Sequence, residues 1–249
     1  MQIITVATVK GGAGKTTTAA ALAQAAVFRG KRALLIDLDP QADLSFMTGA
    51  DLNAPGSYEL LHGTPAREVI QSTEQGIDIM TASTDLAAEK TTPASALRLQ
   101  EGIAPIKKNY DLIVIDTPPQ ISEPLFNGIQ AATGLVIPLE ADGNNLQGLF
   151  QVVAITQQIA GNSNPGLKIL GTVLTRYDGR AKLNQYWQET IATQGAEAGA
   201  PYLMAIRSGI AVKEAQALQI SLFKHAPKSK PALDYMALYE KITGGRKKK

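Results

Sequence analysis

Three short clusters carry the residue types that handle phosphate and metal. The first is Lys10-Gly11-Gly12-Ala13-Gly14-Lys15-Thr16-Thr17, directly after an apolar run. Glycines without a Cβ let backbone N–H groups curl around an anion, and a helix starting near Thr16 adds the positive end of its dipole. In that setting Lys15 reaches the β- and γ-phosphates, Thr16 offers its hydroxyl to Mg2+, and Thr17 serves the α-phosphate. The strict spacing asks for glycine at position 9, where this chain has Val. The second cluster is Asp37-Leu38-Asp39-Pro40-Gln41 and the third is Asp116-Thr117-Pro118-Pro119. An acidic residue just past a buried apolar run holds Mg2+ through water, which is the reading of Asp116. Taken alone, 37–41 is open to two readings: a turn that starts a helix, or carboxylates at the ligand-binding edge of a sheet.

These clusters need a scaffold that brings strand ends together. Short β-branched runs at 3–7, 33–36, 77–80, 112–115, 135–139 and 169–174 predict buried strands. Helical patterns fall between them at 16–29, 93–108, 123–132, 145–160 and 181–194, with Gly30 placed as a C-terminal cap. Such alternation implies an α/β fold: one doubly wound, mostly parallel sheet flanked by helices, in a single domain spanning 1–243. Residues 49–75 are weakly patterned and predict short helices. Tyr235, Leu238, Tyr239 and Ile242 recur at helical spacing as a core stripe, and 244–249 reads as a disordered basic tail. Tyr177, Tyr186 and Trp187 read as packing residues.

Composition removes several classes of function. The chain has 249 residues, 45% hydrophobic and 18% charged, with no cysteine and two histidines. Disulfides, thiolate-bound zinc or iron–sulfur clusters and cysteine nucleophiles are thereby excluded. No apolar run approaches the ~18 residues a membrane span needs. The N-terminus lacks the basic region and cleavage site of a signal peptide, so a cytoplasmic protein is expected. Charge is uneven: residues 201–249 hold ten Lys/Arg against three Asp/Glu, while 1–200 are net acidic. A basic end on a near-neutral body suggests a face for a polyanion.

KGGAGKT, followed by DLDPQ and DTPP, resembles the deviant phosphate loop and two switch segments of the ParA/MinD family of ATPases, in particular its ParA/Soj-type DNA-partitioning branch. VIPLEADGNNLQGL, LGTVLTRYDGR and the stretch from Ala205 to Ile242 extend the similarity over nearly the whole chain. The resemblance implies ATP and Mg2+ as ligands, with Lys10, Lys15 and Asp39 in catalysis. Lys10 would cross an ATP-dependent homodimer interface to the partner's nucleotide. Asp39 would orient the attacking water, and Asp37 would support the metal shell beside Thr16, Asp39 and Asp116. Arg207 would border the nucleotide or DNA, and Thr175 and Arg176 would lie near the adenine. Lys213, Lys224, Lys228 and Lys230, with Arg207, become candidates for sequence-blind contact with double-stranded DNA. The implied partner is a ParB-like centromere-binding protein, and the implied location is the nucleoid.

With the loop beginning at residue 10, no preceding helix-turn-helix is expected, and the small segregation type is the expectation. A membrane-cycling MinD-like ATPase and a protein-cargo-positioning ATPase are the alternatives; no membrane contact is expected. A metabolic ligase of the dethiobiotin synthetase kind shares the phosphate loop, but Lys10 and the DPQ run argue against it.

Overall fold

The computed structural model describes residues 1–88, 92 and 95–244. The first half runs β1 (Gln2–Val6), α1 (Lys15–Phe28), β2 (Ala33–Asp37), α2 (Asp43–Thr48), α3 (Ser57–Leu61), β3 (Gln71–Ser72), β4 (Asp78–Met80), α4 (Arg98–Ile103) and β5 (Leu112–Asp116). The second half runs α5 (Glu123–Ala131), β6 (Gly134–Leu139), α6 (Gly143–Asn162), β7 (Lys168–Tyr177), α7 (Lys182–Glu197), β8 (Tyr202–Arg207), α8 (Ile210–Ala217), α9 (Leu222–His225) and α10 (Lys230–Thr243). The strands make one sheet in the order β3-β4-β2-β5-β1-β6-β7-β8. All neighbours are parallel except the β3–β4 pair.

The central strands feed both faces because successive side chains point to opposite sides. In β2, Ala33 and Leu35 join a core with α1 and α10, while Leu34 and Ile36 join one with α3 and α4. A third cluster packs α5 and α6 against β6. Helix α1 is apolar almost all round, as a helix enclosed by other elements must be. Its six alanines let the sheet, α9 and α10 close around it, with Leu22 fully buried. Arg29 pairs with Glu240 of α10 at its far end. The cap at Gly30 has φ +71°, with Gly30 N donating to Val27 O at 2.8 Å and Lys31 N to Ala26 O at 2.9 Å. That pair of bonds is the glycine-capped helix end the sequence predicts.

All six expected strands are present, and two more are added. β3 is a two-residue antiparallel edge. β8 reads Tyr-Leu-Met-Ala-Ile-Arg, with one β-branched residue and mostly half-buried side chains, so neither composition nor alternation marks it. The helix expected over 93–108 is broken. Only Arg98–Ile103 is α-helical, between 3-10 turns at Ser95–Leu97 and Lys107–Asn109, and residues 93 and 94 lie outside the described residues. Pro105 has no N–H to continue the ladder. The stripe Tyr235, Leu238, Tyr239 and Ile242 is buried in α10, as its spacing requires. Trp187 packs as expected, its ring lying where a Cβ on Gly143 would sit, but Tyr186 is 58% exposed. Of the basic tail, 245–249 lie outside the described residues.

Candidate functional site

The three clusters meet at the carboxyl ends of β1, β2 and β5, the ligand edge of an open α/β sheet. The loop from Lys10 to Gly14 leads directly into α1. Gly12 and Gly14 take φ of +80° and +83°, a backbone that residues with a Cβ rarely adopt. A Cβ on Gly14 would also meet Thr175 Cγ2 at 3.1 Å. Thr175 is buried at the end of β7, and its hydroxyl donates to Ala13 O at 2.9 Å. The structure therefore gives this residue the task of pinning the loop to the sheet. Lys15 is 6% exposed; burial lowers its pKa, while the charges of Asp116 and Asp39 act in the opposite direction.

Asp37 and Asp116 end neighbouring strands and are register partners. Both are fully buried. Asp37 Oδ2 accepts from Ser45 N at 2.9 Å and Ser45 Oγ at 2.7 Å, and its Oδ1 accepts from Asp39 N at 3.1 Å. It thereby folds the segment between β2 and α2, where Ala42 is left-handed at φ +55°. Burial pushes the Asp37 carboxyl up to about 7 against these hydrogen bonds. Asp116 is raised well above the ordinary carboxylate range, first by burial and then by the neighbouring Asp37 charge, with Thr16 and Lys15 acting to lower it. Thr117 ties the following turn to β1 through a 3.0 Å bond to Val6 O. Asp39 borders the cleft with its carboxyl raised by burial; its Oδ1 accepts from Gln41 N at 3.1 Å, which fixes the orientation of the group.

Asp116 Oδ2 is buried without a hydrogen-bond partner among the described residues. A bare oxygen in the interior is costly, by about 1–3 kcal/mol, unless something beyond the chain satisfies it. A hydrated divalent cation held with the Thr16 hydroxyl fits that need. Among the described residues no group of three or more His, Cys, Asp or Glu could hold a metal alone. Mg2+ keeps several waters and takes further oxygens from substrate phosphates, so it needs no all-protein cage.

An open cleft of about 800 Å³ collects Gly11, Gly12, Gly14, Lys15, Thr16, Thr17 and Asp39 with Pro118 and Pro119. A second cleft of about 580 Å³ adjoins it, lined by Gly14, Thr17, Thr175, Arg176, Arg207, Ile210, Lys213 and Gln216 among others. Arg176 borders both; it is left-handed at φ +50° and its guanidinium pairs with Glu140 at 2.7 Å. Arg207 borders the second cleft, but its guanidinium is committed to Asp234 through bonds of 2.8 and 2.6 Å. Lys10 lines neither cleft, and its side chain has no hydrogen bond or ion pair among the described residues. Lys213, Lys224, Lys228 and Lys230 are exposed without ion pairs to described residues. Lys213 also lines the second cleft, which the other three do not. Ser45 and Gln216 are contributors the sequence reading missed; no spacing rule links either to its partner.

A phosphate loop at the carboxyl edge of a parallel sheet, with acidic residues ending the two strands on one side of it, defines the class of P-loop nucleotide-handling proteins. The family model described as an AAA domain matches residues 1–169. The chain is 33% identical over 240 residues to the chromosome-partitioning ATPase Soj of Thermus thermophilus, covering 96% of this chain and 94% of that protein. It is 34% identical over 195 residues to the chromosome partitioning protein ParA of Caulobacter vibrioides, covering 74% of this chain and 73% of that one. It therefore belongs to the ParA/Soj family of partitioning ATPases. Among solved structures, cobyrinic acid a,c-diamide synthase of Mycobacterium smegmatis, with bound ATP analog and magnesium, superposes with a TM-score of 0.84 at 28% identity, covering 99% of this chain and 98% of that one. An ATP complex of a McdA variant from Cyanothece shares the fold, with a TM-score of 0.87 at 23% identity over 99% of this chain and 98% of that one.

Proposed function

We propose that this chain is an Mg2+-dependent ATPase that partitions DNA by cycling between an ATP-bound dimer and a released form. The observation that carries the reading is the division of labour between two lysines of one loop. Lys15 is buried beside Asp116 and Asp39 and lines its own cleft, whereas Lys10 lines neither cleft and pairs with no described residue. A loop lysine that does not line its own site supports the reading that it serves the site of a second copy.

Backbone N–H groups from Gly11 to Thr16 cradle the phosphates, and Lys15 adds a charge that moves little because it is already buried. Mg2+ held by the Thr16 hydroxyl and, through water, by Asp116, with Asp37 beside it, would neutralise charge on the β- and γ-phosphates. Asp39, fixed by the Gln41 amide, orients the attacking water. Phosphoryl transfer needs mainly positioning and charge neutralisation, so a carboxylate in this place is sufficient. Closure of two copies brings each Lys10 to the other's nucleotide. Lys224, Lys228 and Lys230 then meet DNA phosphates without reading sequence, with Lys213 at the border of that surface and the second cleft. A ParB-like partner protein stimulates hydrolysis and releases the dimer.

The test is binding to unrelated-sequence duplex DNA with ATP, with ADP and without nucleotide, over a salt series, beside Lys10→Ala and Lys15→Ala. The expected result is binding that needs ATP, weakens with salt and disappears in both variants. A folded, nucleotide-bound chain that binds DNA in no state overturns the reading.

A further inference from the structure

Gln216 of α8 borders both clefts, and its side-chain amide donates to Thr17 Oγ1 at 2.9 Å. A hydroxyl has one proton and two acceptor lone pairs. With a lone pair occupied by an amide N–H, the proton of Thr17 is turned away from Gln216, and it has no other acceptor among the described residues. Thr17 lies in the first turn of α1, where an anion would sit.

The helix that carries Gln216 is itself held in place. Gln219, just past α8, is left-handed at φ +54°, a conformation disfavoured for a residue with a Cβ. Its Nε2 donates to Phe46 O of α2 at 2.8 Å. Gln75 Nε2 donates to both Met47 O and Gln219 O at 2.9 Å, and Gln24 Nε2 of α1 donates to Gln75 Oε1 at 2.9 Å. α8 is thus fastened to α2, the helix that follows Asp39, and through Gln75 to α1. The backbone that carries Gln216 is therefore held beside the first turn of α1 by the fold, and from there its amide reaches Thr17.

We propose that Gln216 is a positioning residue for nucleotide binding: it holds the Thr17 hydroxyl as a donor to the nucleotide's α-phosphate. This rests on the ATP-binding reading above. Because the α-phosphate is common to ATP and ADP, the effect falls on both nucleotides equally.

The experiment titrates the full chain with fluorescent ATP and ADP analogues in Mg2+, recording a melting curve for each variant. Gln216→Ala is expected to weaken both analogues about 5- to 10-fold, the size of one lost hydrogen bond. Gln216→Glu is expected to weaken them further, because a carboxylate only accepts and would draw the Thr17 proton away from the phosphate. In a Thr17→Ala background Gln216→Ala should cost nothing more; in a Thr17→Ser background its cost should return. Gln216→Glu binding as tightly as the parent overturns the inference. So does a Gln216→Ala loss of the same size with and without the hydroxyl, which is the mark of a merely structural role. A parent that binds neither analogue overturns the ATPase reading itself; a parent that binds, with Gln216→Ala equal to it, overturns this inference alone.

Discussion

The carboxyl ends of β2 and β5 and the chain after β8 hold their ionisable groups in opposite ways. At the first, Asp37, Asp116 and Lys15 are buried, and their neighbours along the loop are fixed by hydrogen bonds. At the second, Lys224, Lys228 and Lys230 stand in solvent without ion pairs to described residues. Buried ionisable groups packed side by side set one another's environment, so the loss of one member disturbs the others. Solvated lysines near a polyanion each release a counterion and contribute separately. The contrast teaches that the first region should fail abruptly and the second by degrees.

The largest expected effect breaks the buried region. Lys15→Ala should weaken ATP binding by roughly 100-fold or more, because it removes a charge-assisted contact and leaves Asp116 beside the phosphates uncompensated. Calorimetric titration with Mg·ATP checks this, and retained affinity would show that the lysine is incidental. Asp39→Ala comes next. Hydrolysis should fall by roughly 100-fold while ATP affinity stays within about 3-fold, as loss of a water-positioning group requires. Single-turnover kinetics beside equilibrium binding separates the two quantities.

A smaller effect follows from pH. The Asp37 carboxyl, ordinarily near 3.8, sits at about 7 because of burial. A carboxyl that keeps its proton more tightly when folded adds stability that is fully present below its unfolded pKa and is lost as pH rises through the folded one. The melting advantage of the nucleotide-free parent over Asp37→Asn should therefore shrink between about pH 4 and pH 7. An advantage that grows over that window would contradict the assignment. The smallest effect sharpens the other side of the comparison. Lys228→Ala and Lys230→Ala should each lower the slope of log affinity for DNA against log salt by about 1 per subunit, additively and without altering ATP affinity. A collapse of DNA binding with either one alone would mean that the face is a built site and not a graded one.

Much of the phosphate site was legible because its signals are local. Lys10 to Thr17, Asp37 to Gln41 and Asp116 to Pro119 each lie within a few residues of a strand end, and the same short range explains the cap at Gly30 and the buried stripe of α10. Spacing failed where the physics was not periodic. β8 is a half-buried edge with little β-branching, and the 93–108 pattern ignored what Pro105 does to a helix. Arg207 was read for its charge, while the fold commits that charge to Asp234.

What the sequence determined by itself is therefore which phosphate- and metal-handling residue types stand at each strand end. Residue type, glycine geometry and alternation act over one turn or one pleat, and those ranges can be read along the chain. What only the tertiary structure decided is which distant groups hold that chemistry still. The Thr175 bond to Ala13 spans 162 residues, that of Gln216 to Thr17 spans 199, and Asp37 lies beside Asp116 because β2 and β5 are neighbours in the sheet. Such contacts obey no spacing rule; they exist because packing the two faces of the sheet brings those particular side chains together.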